Sequence, residues 1–251
     1  MARAASTATT TTTMSTSRAT QLSALLPGVA GVPLLRLLQL ASTALPIGAF
    51  AYSQGLEQAI AMAWVTDEAS AQDWILGLLS TVLAGLDLPV LARLHRAFAA
   101  NDKGAVRRWN DFLCASRGSA ELRAEDRHLG SALARVLDAV GASGSGDWVG
   151  EPDVTHVAMF ALGAVRWEIP PAVAAAGYAF AWTEAQVGAA VRLCPLGQQA
   201  AQRILSRALS NIDGAVAAAL VLSDDEIGAA APAQAIASAL HETLYSRLCR
   251  S

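Results

Sequence analysis

Charged residues are scarce in this sequence, and no cluster of Lys and Arg stands out. Only 16% of the 251 residues are charged and the net charge is −3, whereas a nucleic-acid-binding surface needs a concentrated basic patch. Cysteine is also rare: Cys114, Cys194 and Cys249 are far apart, odd in number and never form a CxxC pair. This usage is typical of reduced thiols in a cytosolic protein. The sequence therefore argues against a nucleic-acid partner and predicts a cytoplasmic location.

Motifs of catalysis and of metal binding are missing as well. No GxxxxGK[ST] phosphate-binding loop occurs, and the four histidines never show HxxxH or HExxH spacing. No Ser or Cys lies in a nucleophile elbow or beside a recognisable base. The Gly-rich stretch at 141–152 follows helical sequence and does not fit GxGxxG, so it predicts a flexible connection. We expect no enzymatic activity and no cofactor or metal bound by this chain itself, while a metal site shared between chains stays open.

Uninterrupted hydrophobic runs are too short to predict a membrane span. The longest weakly polar run, Trp74–Leu86, is bounded by Asp73 and Asp87, and a spanning helix needs about 20 apolar residues. The run therefore predicts a buried core helix, and no membrane partner is expected. Apolar residues nevertheless make up 53% of the chain, above the roughly 45–50% of typical soluble domains. This surplus favours burial against a second copy or another protein.

What the sequence contains throughout is helical periodicity. Ala, Leu, Arg, Gln and Glu dominate, apolar residues recur every three or four positions, and no sustained two-residue alternation is found. Asp67, Asp102 and Ser119 are placed as helix caps, and Ser-Asp-Asp-Glu at 223–226 has the form of a capping box. We predict an all-α fold, a single helical-bundle domain of about ten helices over residues 31–251.

The start of the sequence differs from the rest. Thr9–Thr13 is a homopolymeric run, Ser, Thr and Ala fill much of the surroundings, and no acidic residue precedes Glu57. The apolar segment of a secretory signal is missing. We predict that residues 1–30 form a disordered N-terminal tail. The alternative is that translation begins later, at Met14.

Two carboxylates interrupt an apolar helix face within residues 117–137. On a helix, Asp126 projects between Leu122 and Leu133, and Glu125 lies at the edge of the same stripe. Because a buried charge without a partner is costly, these acids need cationic or N–H partners. One interpretation is a recognition surface for another protein. The other is an internal salt bridge to Arg93, Arg96 or Arg203.

Two further segments combine apolar and polar residues. Residues 233–248 predict a last helix with an apolar i, i+4 stripe and a basic end, which suits the helix dipole. Residues 40–57 begin with apolar helix and then turn at Pro46 and Gly48. The chain is predicted to resume as helix over Phe50–Gln58, where Gly55 would let another helix approach closely.

Four separated blocks of the sequence resemble the urease accessory protein F family. The first lies within residues 40–57 and includes LPIG and YSQGLE. The second is RGSAELRAEDRHLG at 117–130, the third is VRLCPLGQ at 191–198, and the fourth is HETLYSRLCRS at 241–251. The blocks follow one another in the family's order, which makes the match specific.

The resemblance implies an all-helical protein that forms homodimers and performs no chemistry itself. It implies that the chain bridges urease accessory protein D (also called H) and accessory protein G, a GTPase, in the GTP-dependent insertion of nickel into apo-urease. Nickel and GTP would then be handled by the partners. A rival interpretation is a catalytic GTPase activator that supplies an arginine to the partner, with Arg123, Arg127 and Arg250 as candidates. A third is a helical adaptor unrelated to urease.

Polar and charged residues at otherwise apolar helix faces motivate a hypothesis about the site. We hypothesise that three groups of residues form a shared dimer and partner surface. They come from the first block, the Arg117–Gly130 face and the last block: Phe50, Tyr52, Glu57, Arg117, Glu121, Arg123, Asp126, Arg127, Gly130, Tyr245, Arg247, Leu248 and Arg250.

Overall fold

The computed structural model describes residues 31–251, and within that range it contains helices and loops but no β-strand. The α-helices are labelled here in chain order: α1 Val32–Leu40, α2 Leu56–Ala61, α3 Glu68–Leu78, α4 Leu88–Ala99, α5 Lys103–Ser116, α6 Ala120–Ala139, α7 His156–Arg166, α8 Pro171–Leu193, α9 Gln198–Val221 and α10 Pro232–His241. The predicted all-α fold of about ten helices is confirmed. The expectation for residues 1–30 lies outside the described residues.

The helix starts follow the capping chemistry that the sequence predicted. Asp67 accepts a hydrogen bond from the Ser70 backbone N–H at 2.9 Å, and Ser70 completes a capping box at the start of α3. Asp102 caps α5 and Ser119 caps α6 in the same way, each through its side-chain oxygen. These oxygens satisfy donors that a helix leaves unpaired in its first turn. The helix boundaries at these positions are therefore set by local sequence.

The core is one continuous cluster built around α4, α7, α8 and α9. Helix α8 packs along α9, and α4 packs against α7, whose residues from Val157 to Ala164 are all buried. The exposed-to-buried alternation of a surface helix is lost in α7, as expected for a helix enclosed on every side. Helix α1 closes over α8 at Gly177, where a side-chain methyl group would lie 2.5 Å from Leu37. Small residues thus set the close approach of the layers.

A π-helical stretch, Leu79–Asp87, joins α3 to α4 in one long helical rod. Pro89 has no N–H to donate to the carbonyl of Gly85 four residues earlier, so that carbonyl needs another partner. The backbone N–H groups of Gly228 and Ala229 supply it, at 3.1 and 3.4 Å. A side chain at Gly85 would meet Ala229 at 2.4 Å. Pro89 and Gly85 together therefore fix the loop that precedes α10.

Two helical stretches, Glu68–Ala99 and Gln198–Val221, are long and apolar enough by length and composition to cross a membrane. The first has 72% of its most apolar window buried inside the bundle, and the second 33%. The predicted core helix at Trp74–Leu86 lies within the first stretch. It passes through Asp87 without interruption because this carboxylate is itself buried and paired.

The predicted helix boundaries are wrong in two segments, one after α1 and one after α10. The last helix ends at His241, not near residue 248, and residues 242–251 follow an irregular path that we call the closing segment. The predicted helix over Phe50–Gln58 is also wrong: a short 3-10 turn, Ala49–Ala51, leads into extended backbone at Tyr52 before α2 begins at Leu56. Both errors have the same cause, since the two segments hydrogen-bond to each other. Arg250 donates its N–H to the Ala51 carbonyl at 2.8 Å, and Ser53 donates its N–H to the Ser251 carbonyl at 2.7 Å.

Candidate functional site: the closing segment and its acidic anchors

The first buried ionic cluster joins Arg117 to two carboxylates. Its guanidinium contacts Asp87 at 2.6 Å and Asp126 at 2.8 Å, and all three side chains are 13% exposed or less. Burial alone would lower the pKa of Arg117, but the carboxylates of Asp126 and Asp87 raise it well above its ordinary value. Asp126 also accepts the backbone N–H of His156 at 2.8 Å, at the start of α7. The cluster therefore ties α6 to the π-helical stretch and to α7.

Of the two sequence interpretations of Asp126, internal pairing is what the structure shows, with a different arginine. The proposed partners are engaged elsewhere: Arg93 pairs with Asp224 and Arg203 with Glu68. Arg96 is not among the partners of Asp126 in the described chain. Arg117 is nine residues before Asp126 in sequence. The turn at the start of α6 brings the side chain of Arg117 back to the helix face on which Asp126 lies.

A second cluster centres on His241, the last residue of α10, which is fully buried. Its Nε2 lies 3.1 Å from Glu57 and its Nδ1 lies 2.8 Å from Glu121. Each ring nitrogen of His241 therefore lies within hydrogen-bond distance of a carboxylate oxygen. Arg247 adds a second cation, 2.7 Å from the other oxygen of Glu121. Helices α2, α6 and α10 thus meet at a junction of two carboxylates, one imidazole and one guanidinium group.

The closing segment is fastened to this junction through its backbone. Leu248 and Cys249 donate their N–H groups to the carboxylate of Glu57 at 2.7 and 2.8 Å. Burial opposes ionisation of this carboxyl group, but the two backbone donors and His241 outweigh it and lower the pKa of Glu57. Charge-assisted hydrogen bonds of this kind are roughly twice as strong as neutral ones. Glu57 therefore acts as a structural anchor for the closing segment.

A third acidic anchor, Glu125, has only neutral partners. Gln54 donates its amide N–H to Oε1 at 2.7 Å and Ser251 donates its hydroxyl to Oε2 at 2.8 Å. Gln54 is oriented in turn by Trp182, whose indole N–H donates to its Oε1 at 2.8 Å. Burial, with Asp126 nearby, raises the pKa of Glu125 to about 7. This carboxyl group therefore exchanges a proton near neutral pH.

Beneath these anchors lies a mainly apolar cavity of about 210 Å³. Its wall includes the Arg117 cluster, Glu125, Tyr178 and Gln186, and the turn around Phe50 also lines it. The side-chain oxygen of Gln186 is buried and has no hydrogen-bond partner among the described residues. Among residues 31–251 no group of three or more His, Cys, Asp or Glu side chains is arranged to hold a metal ion.

Three large side chains, from the closing segment and the turn Ala49–Ala51, reach solvent, and we call them the exposed face. Phe50 is 67% exposed, Leu248 is 79% exposed and Tyr245 is fully exposed. The hydrogen bond from Arg250 to Ala51 brings the closing segment beside the turn that carries Phe50. Arg247 and Arg250 are exposed on the same segment. Large exposed apolar side chains that are held by a buried polar network are typical of a protein-binding surface.

Comparison with known proteins identifies the family. The UreF family model matches residues 65–209. The urease accessory protein UreF of Alkalilimnicola ehrlichii is 46% identical over 216 residues, which cover 86% of this chain and 95% of that protein. The relative of the same name from Pseudomonas putida is 47% identical over 218 residues, with 87% and 97% covered.

The chain belongs to the UreF family. The resemblance inferred from the four sequence blocks is thereby confirmed. The match of the family model includes the blocks at 117–130 and 191–198, and a further UreF from Chromohalobacter salexigens is 46% identical over 215 residues, or 86% of this chain and 93% of that protein.

Of the residues predicted for the partner surface of this UreF chain, all but the half-buried Arg123 fall into two groups. Those with little exposure hold the fold together: Tyr52, Glu57, Arg117, Glu121, Asp126 and Gly130. The hydroxyl group of Tyr52 is hydrogen-bonded to Nδ1 of His128 at 3.2 Å, and the guanidinium group of Arg123 donates to the carbonyl oxygen of Arg117 at 2.9 Å. Those that reach solvent are Phe50, Arg127, Tyr245, Arg247, Leu248 and Arg250. That any of them contacts a partner stays a prediction.

Arg127 lies apart from the rest of this group. It pairs with Asp153 at 2.7 Å, in the loop before α7, and both side chains are about half exposed. The sequence-based prediction of the site also left out Asp87 of the Arg117 cluster and His241 of the second cluster. For the Glu125 anchor it missed Gln54 and Ser251. Both were quoted within the family blocks, but no sequence signal pairs positions that are 71 and 126 residues away from Glu125.

Proposed function

We propose that this chain is a non-catalytic scaffold in urease maturation, which bridges accessory protein D and the GTPase accessory protein G during the insertion of nickel into apo-urease. The observation that carries the proposal is the exposed face of Phe50, Tyr245 and Leu248, together with membership of the UreF family. The acidic anchors dock the closing segment beside the turn that carries Phe50, through its backbone N–H groups and the hydroxyl group of Ser251. Preorganisation of this kind raises affinity because less ordering is needed on binding.

The remaining parts of the proposal concern the assembly. We propose that the chain works as a homodimer in the cytoplasm, that it takes part in regulating the GTPase, and that nickel and GTP are bound by its partners. Exposed leucines outside the closing segment support further burial in an assembly, among them Leu35 and Leu38 on α1 at 64% and 59% exposure. Isolated exposed apolar residues are ordinary, but clustered ones favour an interface.

Removing the apolar side chains of the exposed face is expected to weaken retention of accessory protein D, accessory protein G or both. The variant Phe50→Ser/Leu248→Ser should lose at least about tenfold in affinity, because well-packed apolar anchors each contribute about 1–2 kcal/mol or more to an interface. Co-purification with the two partners, followed by titration of the purified proteins, measures the effect. Leu209→Ser is the matched control, since this leucine is 52% exposed on α9.

The basic residues of the closing segment are tested in the same assay. An Arg247→Ala/Arg250→Ala variant that folds and still binds both partners like the wild type would remove these two arginines from the surface. Because Arg247 also pairs with Glu121, circular dichroism is used first to check that the double variant folds. Unchanged binding by both this variant and Phe50→Ser/Leu248→Ser would contradict the proposed surface as a whole.

A further inference from the structure

We propose that the closing segment is a proton-operated latch: it docks most tightly when Glu125 is protonated, and it loosens as this carboxyl group ionises. The inference deepens the proposed function, because residues 242–251 carry part of the face proposed to bind partners. It concerns this chain alone, however, and is tested without any partner present.

The three acidic anchors differ in what faces them. Glu57 has two backbone N–H donors and His241, and Glu121 has both His241 and Arg247. The partners of Glu57 favour its ionised form. Glu125 has one amide and one hydroxyl group, neither of them charged. A buried carboxylate with only neutral donors is the anchor at which ionisation costs most.

The closing segment takes part in burying Glu125. Ser251, itself fully buried, contacts Oε2 of Glu125 through its hydroxyl group, and its carbonyl oxygen is held by Ser53. When the segment lifts away, Oε2 loses this partner and gains water. Water then stabilises the ionised form of Glu125. In the docked state the carboxylate is buried, and water cannot stabilise it in this way.

The other charged groups around Glu125 do not reverse this preference. On its own helix, Asp126 raises the pKa of Glu125. Arg117, in the turn before α6, lowers it, but this guanidinium is already bound by two carboxylates. Other titratable and charged residues lie at the junction or on the wall of the cavity below it. They are Glu57, Asp87, Glu121, His128, His156, Tyr178, Glu184, Arg192, His241, Arg247 and Arg250. Burial keeps His156 neutral, since it lowers the pKa of that imidazole to about 4.

The direction of the pH dependence follows from the two states. Docked Glu125 has a pKa of about 7, against an ordinary value of 4.5. Its contribution to docking is therefore fully present below pH 4.5, is lost as the pH rises towards 7, and stays lost above it. Glu57 acts in the opposite sense, because its pKa is lowered and its contribution is lost only as the pH falls below its ordinary value of 4.5. The latch is therefore tightest in mildly acidic solution.

Cys249 is a built-in reporter of the latch. It lies within the closing segment and is 5% exposed, so a thiol reagent reaches it only when the segment lifts. In a Cys114→Ala/Cys194→Ala background it is the single thiol of the chain. The protection of Cys249 is measured as its rate of reaction with a pyridyl disulfide in denaturant divided by its rate in native buffer at the same pH. This ratio removes the intrinsic pH dependence of the thiol.

Protection of Cys249 is expected to fall about tenfold between pH 6 and pH 8, which is the change that one group with these two pKa values produces. In Glu125→Gln the amide oxygen can accept from Gln54, and the amide N–H can donate to the hydroxyl oxygen of Ser251 in place of the bond that Ser251 donates in the wild type. This side chain has no carboxyl proton to lose, so protection should be independent of pH between pH 6 and pH 8. Glu184→Gln is the matched control: this carboxyl group lines the same cavity and burial raises its pKa, but it accepts no hydrogen bond from the closing segment among the described residues. It should keep the wild-type dependence.

Two results would overturn the latch. One is constant protection from pH 6 to pH 8 in the single-thiol chain, and this measurement needs no variant of Glu125 to fold. The other is an unchanged dependence in a folded Glu125→Gln. Neither result bears on the scaffold role, which is decided by partner binding, and loss of partner binding would in turn leave the pH dependence of Cys249 untouched.

Discussion

Replacing Arg117 with Met is expected to lower the free energy of unfolding by about 3–5 kcal/mol. The substitution keeps an unbranched apolar stem but removes the guanidinium group, which leaves Asp87 and Asp126, exposed by 4% and 6%, without a cation. Breaking a buried ion pair by removing one partner costs this much because the remaining charge stays buried and uncompensated. Urea denaturation followed by tryptophan fluorescence and circular dichroism measures the loss.

The matched control is Arg203→Met. Arg203 also makes a close contact with a carboxylate, at 2.7 Å from Glu68, but its side chain is 59% exposed. Exposed pairs contribute at most about 1 kcal/mol. Neutralising the acids as well, in Arg117→Met/Asp87→Asn/Asp126→Asn, should restore part of the stability, since no unpaired charge then remains. Equal losses for Arg117→Met and Arg203→Met would show that the buried cluster is not the determinant we describe.

Adding a single methyl group at Gly130 is expected to destabilise the fold by about 3 kcal/mol, at the upper end of what overpacking costs. A Cβ at this position would lie 2.1 Å from the carbonyl oxygen of Val154 and 2.6 Å from the carbonyl carbon of Thr155. Both are backbone atoms, which cannot rotate away as a side chain can. Thr155 also caps α7, so any shift disturbs the start of that helix. Thermal or urea unfolding of Gly130→Ala measures the loss.

Gly214→Ala serves as the control for Gly130→Ala. Gly214 lies within α9, is exposed, and has no heavy atom within 4 Å of the position of a Cβ. Alanine at an unhindered helix position is favoured over glycine by about 1 kcal/mol. The two identical substitutions should therefore have opposite signs. A Gly130→Ala protein as stable as the wild type would mean that α6 does not approach the Val154–Thr155 backbone as closely as described.

Local chemistry explains which parts of the fold could be predicted from the sequence. The caps at Asp67, Asp102 and Ser119 involve residues three positions apart, so both partners appear in one short window. The turn at Gly48 and the close approach of α10 to Gly55 followed from residue types that permit them. At Gly55 a Cβ would lie 3.0 Å from the backbone nitrogen of Ser238. The need of Asp126 for a partner was likewise evident from its place on an apolar stripe.

Partners that are distant in sequence explain what could not be predicted. The apolar i, i+4 spacing after Ala233 continues to Leu248 and favours helix, but the helix stops at His241. The backbone N–H groups of Leu248 and Cys249 bind Glu57 instead, 191 and 192 residues earlier in the chain. No window of sequence contains both ends of such a bond. For the same reason Arg117 could not be distinguished from the other arginines as the partner of Asp126.

The distance between Glu57 and its backbone donors also sets an order of events during translation. At about 5–20 residues per second, a ribosome needs on the order of 10–40 seconds to add the residues between Glu57 and Leu248, and further time to release them from its exit tunnel. Until then Glu57 lacks its two backbone donors and Glu125 lacks the hydroxyl group of Ser251. The nascent protein therefore seals this junction only once synthesis has passed its final block.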